Sequence, residues 1–520
     1  MWFLYDNVAA LCVAAVCSTL AWLYGGIVAS ALFPSIPWLL AIMAEISLCF
    51  PQRRPGETTF EARERVWAAL KKDPAAWIAA IFLILLLVPF FNKGPCPCCD
   101  YPAIHFDGVP ADPPVPYFPF CVDRVEHLNV VTWFFCAFTC ALAARHALLK
   151  RGKRLVMRLA VWNGVALAAL GMVQYATGAE SPLWSDGWKC TAYFFSTFGY
   201  PNMGGDYFTT LFALAVALWR RNLDEIAAER ASPDGGAAEA SHALFWRKHL
   251  MLVPAAVLFF AAMMTLSRSS ILLGTGLALI FFAHAFASFV SHMRRSGRVK
   301  AVAANLIALV LIGTLFAVFI SGRDMLAENG TATFRGDFAK ELSTIDGRGI
   351  VDRIAGKGQY HNRVAARVWK EHFLFGCGGW GYKHFCIPAM TDAEFKAIQN
   401  IGGINVHNDF LQFMAEHGIV GLLLIVSFLL ALVLPVFKQW KELALAARFM
   451  KKKERPPRPA ALFVLPAGAF CALCALAATV LHSFADCPLR SPAVLTLFFT
   501  TAASIDGFIP RFRKPDLRDK

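Results

Sequence analysis

Twelve apolar blocks, each near the length of a bilayer crossing, constrain this chain more than any other feature. They run approximately over 8–25, 28–50, 75–92, 128–148, 159–178, 204–220, 250–266, 270–290, 301–320, 418–437, 460–482 and 492–508. About twenty helical residues span the hydrocarbon layer. Lipid offers no partner to backbone N–H or C=O groups, so each block satisfies its own hydrogen bonds only as a helix. Leu250–Val290 is one long apolar stretch broken only by Ser267-Arg268-Ser269-Ser270. Some forty residues at about 1.5 Å each make roughly two spans, so it reads as a helical pair turning there. Composition agrees: 57% of the 520 residues are hydrophobic and 17% charged, against about 25% charged in a soluble domain. The first block lacks a basic leader and runs straight into the second, so it reads as a retained span, not a cleaved signal peptide. The fold class is an all-α polytopic membrane protein with about twelve transmembrane helices.

Charge sets the orientation. Alternate connections are densely basic: Arg53 to Lys72, Lys150 to Arg158, Arg220 to Lys248, Arg294 to Lys300, Lys451 to Arg458, and Arg511 to Lys520. The connections between them hold few basic residues. Basic loops stay on the cytoplasmic side, so both termini are expected there and the long connection after 320 outside. The chain divides into 1–320 with nine spans, a large loop over 321–417, and 418–520 with three more spans and a basic tail. The net charge of +14 is explained by this topology, which leaves no call for a nucleic-acid partner. The membrane lipids are the expected surroundings.

Eight of the 15 cysteines fall in or beside the outer connections: Cys96, Cys98, Cys99, Cys121, Cys190, Cys377, Cys386 and Cys487. An even set on an oxidising face suggests disulfides, with Cys96, Cys98, Cys99 and Cys121 as the first candidates. The Cys96-Pro97-Cys98-Cys99 cluster has the donors for zinc but not a strong zinc spacing, and no metal is expected. Cys12, Cys17, Cys136, Cys140, Cys471 and Cys474 lie in spans as small packing residues.

Chemistry-bearing residues concentrate in the loop. Its length and glycine content mark it as functional rather than connecting. Thr391-Asp392-Ala393-Glu394 is a capping box that should start a short helix. Asn362–His372 also reads as helical, ending before Gly376-Cys377-Gly378-Gly379-Trp380-Gly381. On that helix Arg363, Arg367 and Lys370 share one face, beside a glycine run that lets backbone approach a ligand. Arg268 is a second outward arginine at a membrane boundary. It either snorkels to headgroups or grips a phosphate with its planar fork. His407 stands just before the tenth span with Asn408, Asp409 and Glu416 close in sequence. A histidine titrates near neutrality, and a neighbouring carboxylate or amide fixes its tautomer, so His407 is the candidate general base.

The string HNDFLQFMAEHGIVG, residues 407–421, resembles the signature of the O-antigen ligase and polysaccharide polymerase superfamily, in which a His-Asn pair precedes a Glu-x-Gly-x-x-Gly helix start. TLSRSS (265–270), FLFGCGGWGYKHF (373–385) and FGYPNMGGDYF (198–208) resemble its Ser-Arg segment, its Gly-x-Gly segment and an Asn-containing start of an earlier span. The placing of about twelve spans around a large loop is similar too.

The resemblance implies a C-type glycosyltransferase-like fold in a bacterial inner membrane, with one large, partly helical periplasmic loop. It implies transfer of a glycan from an undecaprenyl diphosphate-linked donor to an acceptor hydroxyl, with no nucleotide, metal or other cofactor. Carried over, His407 is the base, Arg268 and a loop arginine bind the diphosphate, and Asn408, Asp409, Glu416 and Asn202 support. Family spacing from Trp369 falls near Gly358, which is not basic, so the loop arginine is Arg363 first, then Arg367, Arg353 or Lys357. The acceptor is lipid A-core in an O-antigen ligase, a growing glycan in a polymerase, or a protein in an O-oligosaccharyltransferase; the first is favoured. The competing class is a lipid-linked sugar transporter or flippase. That class places ionisable groups at mid-membrane and repeats itself internally, whereas here only Glu45 and His284 lie well inside a span.

Overall fold

A computed structural model describes residues 2–26, 35–94, 115, 118–185, 194–230, 249–296, 358–399, 405–446 and 465–509. These residues are all-helical, with two isolated bridges and no strand. In chain order the main helices are α1 (Trp2–Trp22), α2 (Ile36–Cys49), α3 (Thr59–Lys72), α4 (Pro74–Phe91), α5 (Arg124–Leu142), α6 (Lys150–Ala176), α7 (Pro201–Arg230), α8 (Leu252–Met264) and α9 (Arg268–Ser296). After them come α10 (Gly358–Glu371), α11 (Tyr382–Phe385), α12 (Asp392–Gln399), α13 (Asp409–Ala446), α14 (Ala467–His482) and α15 (Pro492–Ser504).

Eleven of the twelve apolar blocks coincide with described helices. The ninth, 301–320, lies outside the described residues, as do 321–357 with Arg353 and Lys357, and Cys96, Cys98, Cys99 and Cys190. Five described helical stretches are long and apolar enough to cross a membrane: Pro74–Phe91, Arg124–Ala147, Lys150–Ala176, Arg268–Ala287 and Asp409–Glu442. Trp77, Ile81 and Ile84 of α4 and Leu423, Leu430 and Leu434 of α13 are exposed, as on helices that face lipid rather than water. One boundary moves. Helix α13 starts at Asp409, so the expected loop end at 417 falls inside the helix, at a break at Gly418 (φ +65°, ψ −172°).

The helices form two compact units. The first comprises Met1–Ala160, Arg348–Pro435 and Thr479–Ser504. In it α5 packs against α15, α2 and α4, and α1 against α2 and α15. Its centre is aromatic. Phe82 of α4, Phe134 and Phe138 of α5, Phe428 of α13 and Phe499 of α15 meet with ring centroids 4.4–5.7 Å apart. Such pairs contribute about 0.5–1.5 kcal/mol each beyond the area they bury.

The two ends of α5 differ. At its C-terminal end Asp73 caps α4 through the Ala75 N–H (3.1 Å) and takes Arg145 and His146 at 2.6 Å each. Arg53 pairs with Asp6 there (2.9 Å), and Gln52 ties Asn7 to the Leu149 amide. The first two basic connections thus share one end of this unit. At the other end of α5, His127 accepts the Gly379 N–H (2.9 Å) and donates to the Leu86 carbonyl (2.6 Å). His127 and Arg145 are separated by roughly 27 Å of helix, so the glycine run and the basic cluster lie at opposite ends. The second unit comprises Val161–Gly347, Val436–Ala478 and Ile505–Lys520; in it α7, α8 and α9 pack on one another.

Candidate active site

The His-Asn segment is held from both sides. Asn408 caps α13 by accepting the Leu411 N–H (3.1 Å) and donates to the Phe484 carbonyl (3.2 Å). Asp409 is buried; its amide donates to the Ser483 carbonyl (2.9 Å), and its carboxylate accepts Ser483 Oγ (3.0 Å) and the Leu489 amide (2.9 Å). Gln412 accepts the Val406 N–H (3.0 Å) and donates to Asn405 and Glu416 (3.2 and 3.3 Å). These contacts dock residues 405–409 on the turn 483–491 between α14 and α15. His407 adopts a left-handed backbone (φ +55°), a conformation that costs about 1–3 kcal/mol for a non-glycine residue and persists only where neighbours enforce it.

That backbone delivers the ring to Asp486. His407 Nδ1 lies 3.3 Å from Asp486 Oδ1, which also accepts the Cys487 N–H at 2.8 Å. Burial by itself would raise the Asp486 pKa. The His407 hydrogen bond and charge, the nearby His482 and the Cys487 amide outweigh it and hold the carboxyl down at about 2. An ionised carboxylate only accepts, so the His407 nitrogen that faces it, Nδ1, carries a proton. His407 keeps a third of its side chain exposed while Asp486 is almost wholly covered. The pair therefore joins a buried carboxylate to a partly exposed imidazole.

A second imidazole stands beside it. The His361 ring of α10 lies 5.7 Å from that of His407, edge to face. His361 is buried, and its Nε2 has no hydrogen-bond partner. Burial, and then the charge of His407, push its pKa down to about 4, so this ring is neutral.

The glycine run does something other than expected. Cys377 and Gly378 donate to the Ala415 and Glu416 carbonyls (both 2.9 Å), and Ile419 and Val420 donate to Phe373 and Leu374 (3.0 and 3.2 Å). A Cβ on Gly376 would sit 2.2 Å from the Glu416 backbone, and one on Gly418 would sit 2.1 Å from the Leu374 carbonyl. Here the glycines admit one stretch of this chain against another, not a ligand against backbone. Glu416 has a fastening role in this joint: its carboxylate pairs with Arg490 (2.5 Å), whose guanidinium covers the Trp380 ring at 4.9 Å.

The helix expected over Asn362–His372 is α10, and the capping box starts α12. The Thr391 amide donates to Glu394 (2.9 Å) and the Glu394 amide to Thr391 Oγ (3.4 Å). The three basic side chains of α10 part company. Arg367 is engaged within the protein, donating to the Ala389 carbonyl (2.8 Å) and pairing with Glu394. Arg363 and Lys370 are exposed. Of the disulfide candidates, Cys121 is a buried thiol directed at the Pro89 carbonyl (3.0 Å); the other three lie outside the described residues.

Arg268 and Asn202 belong to the second unit. Ser267 caps α9, accepting from the Ser270 amide (3.3 Å) and hydroxyl (3.0 Å), and Arg268 is the first residue of that helix. Asn202 donates to the Tyr200 hydroxyl (3.0 Å) in the first turn of α7. A Cβ on Gly205 would meet Ser270 Oγ at 2.1 Å, so the Asn-containing segment and the Ser-Arg segment adjoin.

Sequence reasoning passed over Asp486, His361 and Arg490. The available signal for Asp486 was a carboxylate in the short connection His482-Ser483-Phe484-Ala485-Asp486-Cys487-Pro488 between two apolar blocks, where neither length nor solubility calls for charge.

Fold and site together define a helical membrane protein with a His-Asp pair at the N-terminal end of a long helix. Residues 253–426 match the family model described as O-antigen ligase. The match covers about a third of the chain and agrees with the resemblance its motifs carry. The matched stretch contains Arg268, Arg363 and His407 but ends before Asp486. Comparison with curated proteins finds no match.

Proposed function

We propose that this chain transfers a glycan from an undecaprenyl diphosphate-linked donor to an acceptor hydroxyl at the outer face of the bacterial inner membrane, as an O-antigen ligase acting on lipid A-core. The observation that carries the reading is the His407–Asp486 pair. In the reaction the bond between the anomeric carbon and the diphosphate oxygen breaks. The acceptor oxygen bonds to that carbon, and its proton passes to His407 Nε2. Asp486 holds the opposite nitrogen and stabilises the imidazolium that forms. The departing diphosphate gains negative charge, and Arg268 with Arg363 are the groups we assign to receive it, since a guanidinium offers two parallel donors and stays charged. The exposure of Arg363 and the engagement of Arg367 with Glu394 support that choice on α10. Asn408 and Asp409 act by fixing the segment that carries His407. Twelve spans, cytoplasmic termini and a periplasmic loop from 321 to the start of α13 complete the reading; the basic connections of the first unit, gathered at the end of α5 away from the glycine run, favour it.

The test is His407→Ala in membranes charged with lipid-linked donor. Transfer should fall by roughly 10²–10⁴, read on a glycan ladder, while donor stays bound, because a base acts in the transition state rather than in ground-state binding. Near-normal transfer would end the assignment.

A further inference from the structure

The residue after Asp486 is a cysteine, and proton transfer has no use for it. Cys487 is buried, with its Sγ 3.4 Å from Asp486 Oδ1. Across the same carboxylate oxygen stands His407 Nδ1 at 3.3 Å. One donor atom from each of His407, Asp486 and Cys487 lies within 4.8 Å of the others. Zinc bound at about 2.0–2.3 Å to nitrogen, oxygen and sulfur in a tetrahedron separates its ligands by roughly 3.3–3.7 Å. Two of the three edges are already near that length, and the third closes by a swing of the His407 ring, whose exposure also gives a cation its access. The frame around the donors is rigid: the Asp486 amide donates to the His482 carbonyl (2.9 Å), and the Asn408 and Asp409 contacts fix the other strand of chain.

We propose that His407, Asp486 and Cys487 form an inhibitory site for a thiophilic divalent cation of the zinc class; this rests on the reading of His407 as the base. Imidazole and thiolate select such a cation over magnesium or calcium. Metal at Nδ1 takes that lone pair, so the ring's one proton moves to Nε2, the Cys487 thiol releases its proton to solvent, and the fourth position stays open. The nitrogen that would accept the acceptor's proton then carries one, and transfer stops. The site is an off-switch laid over the catalytic pair.

The test uses the full-length chain in lipid nanodiscs, with zinc chloride in the transfer assay and cobalt(II) as optical probe. Micromolar zinc should lower transfer by the wild type at least tenfold, reversibly with chelator. Cys487→Ala and Cys487→Ser, each checked for a normal melt and read against its own zinc-free rate, should need at least ten times more zinc for the same fractional loss. Cobalt should give a thiolate charge-transfer band that both variants lose in part. X-ray absorption of wild type carrying one equivalent of zinc should show one sulfur at about 2.3 Å among lighter neighbours. An all-sulfur sphere, which Cys96, Cys98 and Cys99 would supply, or equal zinc sensitivity in all three proteins, would overturn the site. Absence of transfer by the wild type without zinc would instead defeat the functional reading, and the cobalt and absorption spectra would still decide whether the site exists.

Discussion

Replacing Asp486 by Asn isolates what the carboxylate contributes. The side chain keeps its volume, and the turn 483–491 is also held through Asp409 and Asn408, so it should survive. Two things are lost. One is charge. A unit charge 3.3 Å from the ring is worth about 5 kcal/mol gross at an effective dielectric near 20. Most of that is offset by burial, leaving about 1.5–3 kcal/mol for a charged hydrogen bond, or roughly ten- to hundredfold in rate. The other is the tautomer. Oδ1 faces both Nδ1 and the Cys487 amide; an Asn that turns its NH₂ to Nδ1 gives up the Cys487 contact, makes Nδ1 the acceptor and puts the ring proton on Nε2, where the lone pair is needed. The same exchange in the serine-protease triad lowers turnover by about 10⁴. Asp486→Asn should therefore lower kcat by about 10²–10⁴ and leave donor KM near its original value. Combined with His407→Ala it should add almost nothing, because the two residues act as one unit. The assay is initial-rate glycan transfer in nanodiscs, with thermal melting to confirm the fold. A kcat within threefold of wild type, in a protein that melts normally, would refute the pairing.

The arginines should separate by readout. Arg363→Ala and Arg268→Ala weaken binding of lipid-linked donor, with Arg→Lys a partial rescue because the fork is lost; Arg367→Ala leaves donor affinity unchanged but frees α12 from α10, seen as faster amide exchange over 391–399. Gly418→Ala forces a side chain into a backbone region that essentially only glycine occupies, against the Leu374 carbonyl; destabilisation on the order of 3 kcal/mol or more and a lower melting temperature should follow, and an unchanged melt would show that the joint is soft. Acid should loosen the same α10–α12 contact. Burial pushes the Glu394 pKa up, but the Thr391 amide, Arg367 and the Thr391 hydroxyl together bring it below the ordinary value. A lowered folded pKa stabilises above the unfolded value of about 4.3 and loses that contribution as pH falls through the folded value, so exchange over 391–399 should rise only once the pH is below that unfolded value, and Glu394→Gln should abolish that step.

What the sequence makes legible follows from range. Apolar blocks specify helices through each segment's own hydrogen bonds, so α1, α2, α4 to α9 and α13 to α15 were readable one at a time. The capping box at Thr391 is equally local and was readable for the same reason. His407-Asn408 was found because a family's chemistry is concentrated in a short string. Nothing local distinguishes Arg363 from Arg367: both are basic, on one helix, four residues apart. Only the arrival of Glu394, 27 positions on, assigns one to the scaffold and leaves the other at the surface. Asp486 is further removed, 79 positions from His407, with all of α13 and α14 between. Glycine shows the converse limit. Gly376 and Gly418 advertise close approach in any sequence, yet what approaches is decided by tertiary docking, and here each glycine receives the other's strand. The site thus divides by origin: the proposed base is written in a motif, while the carboxylate that faces it depends on the packing of two distant helices.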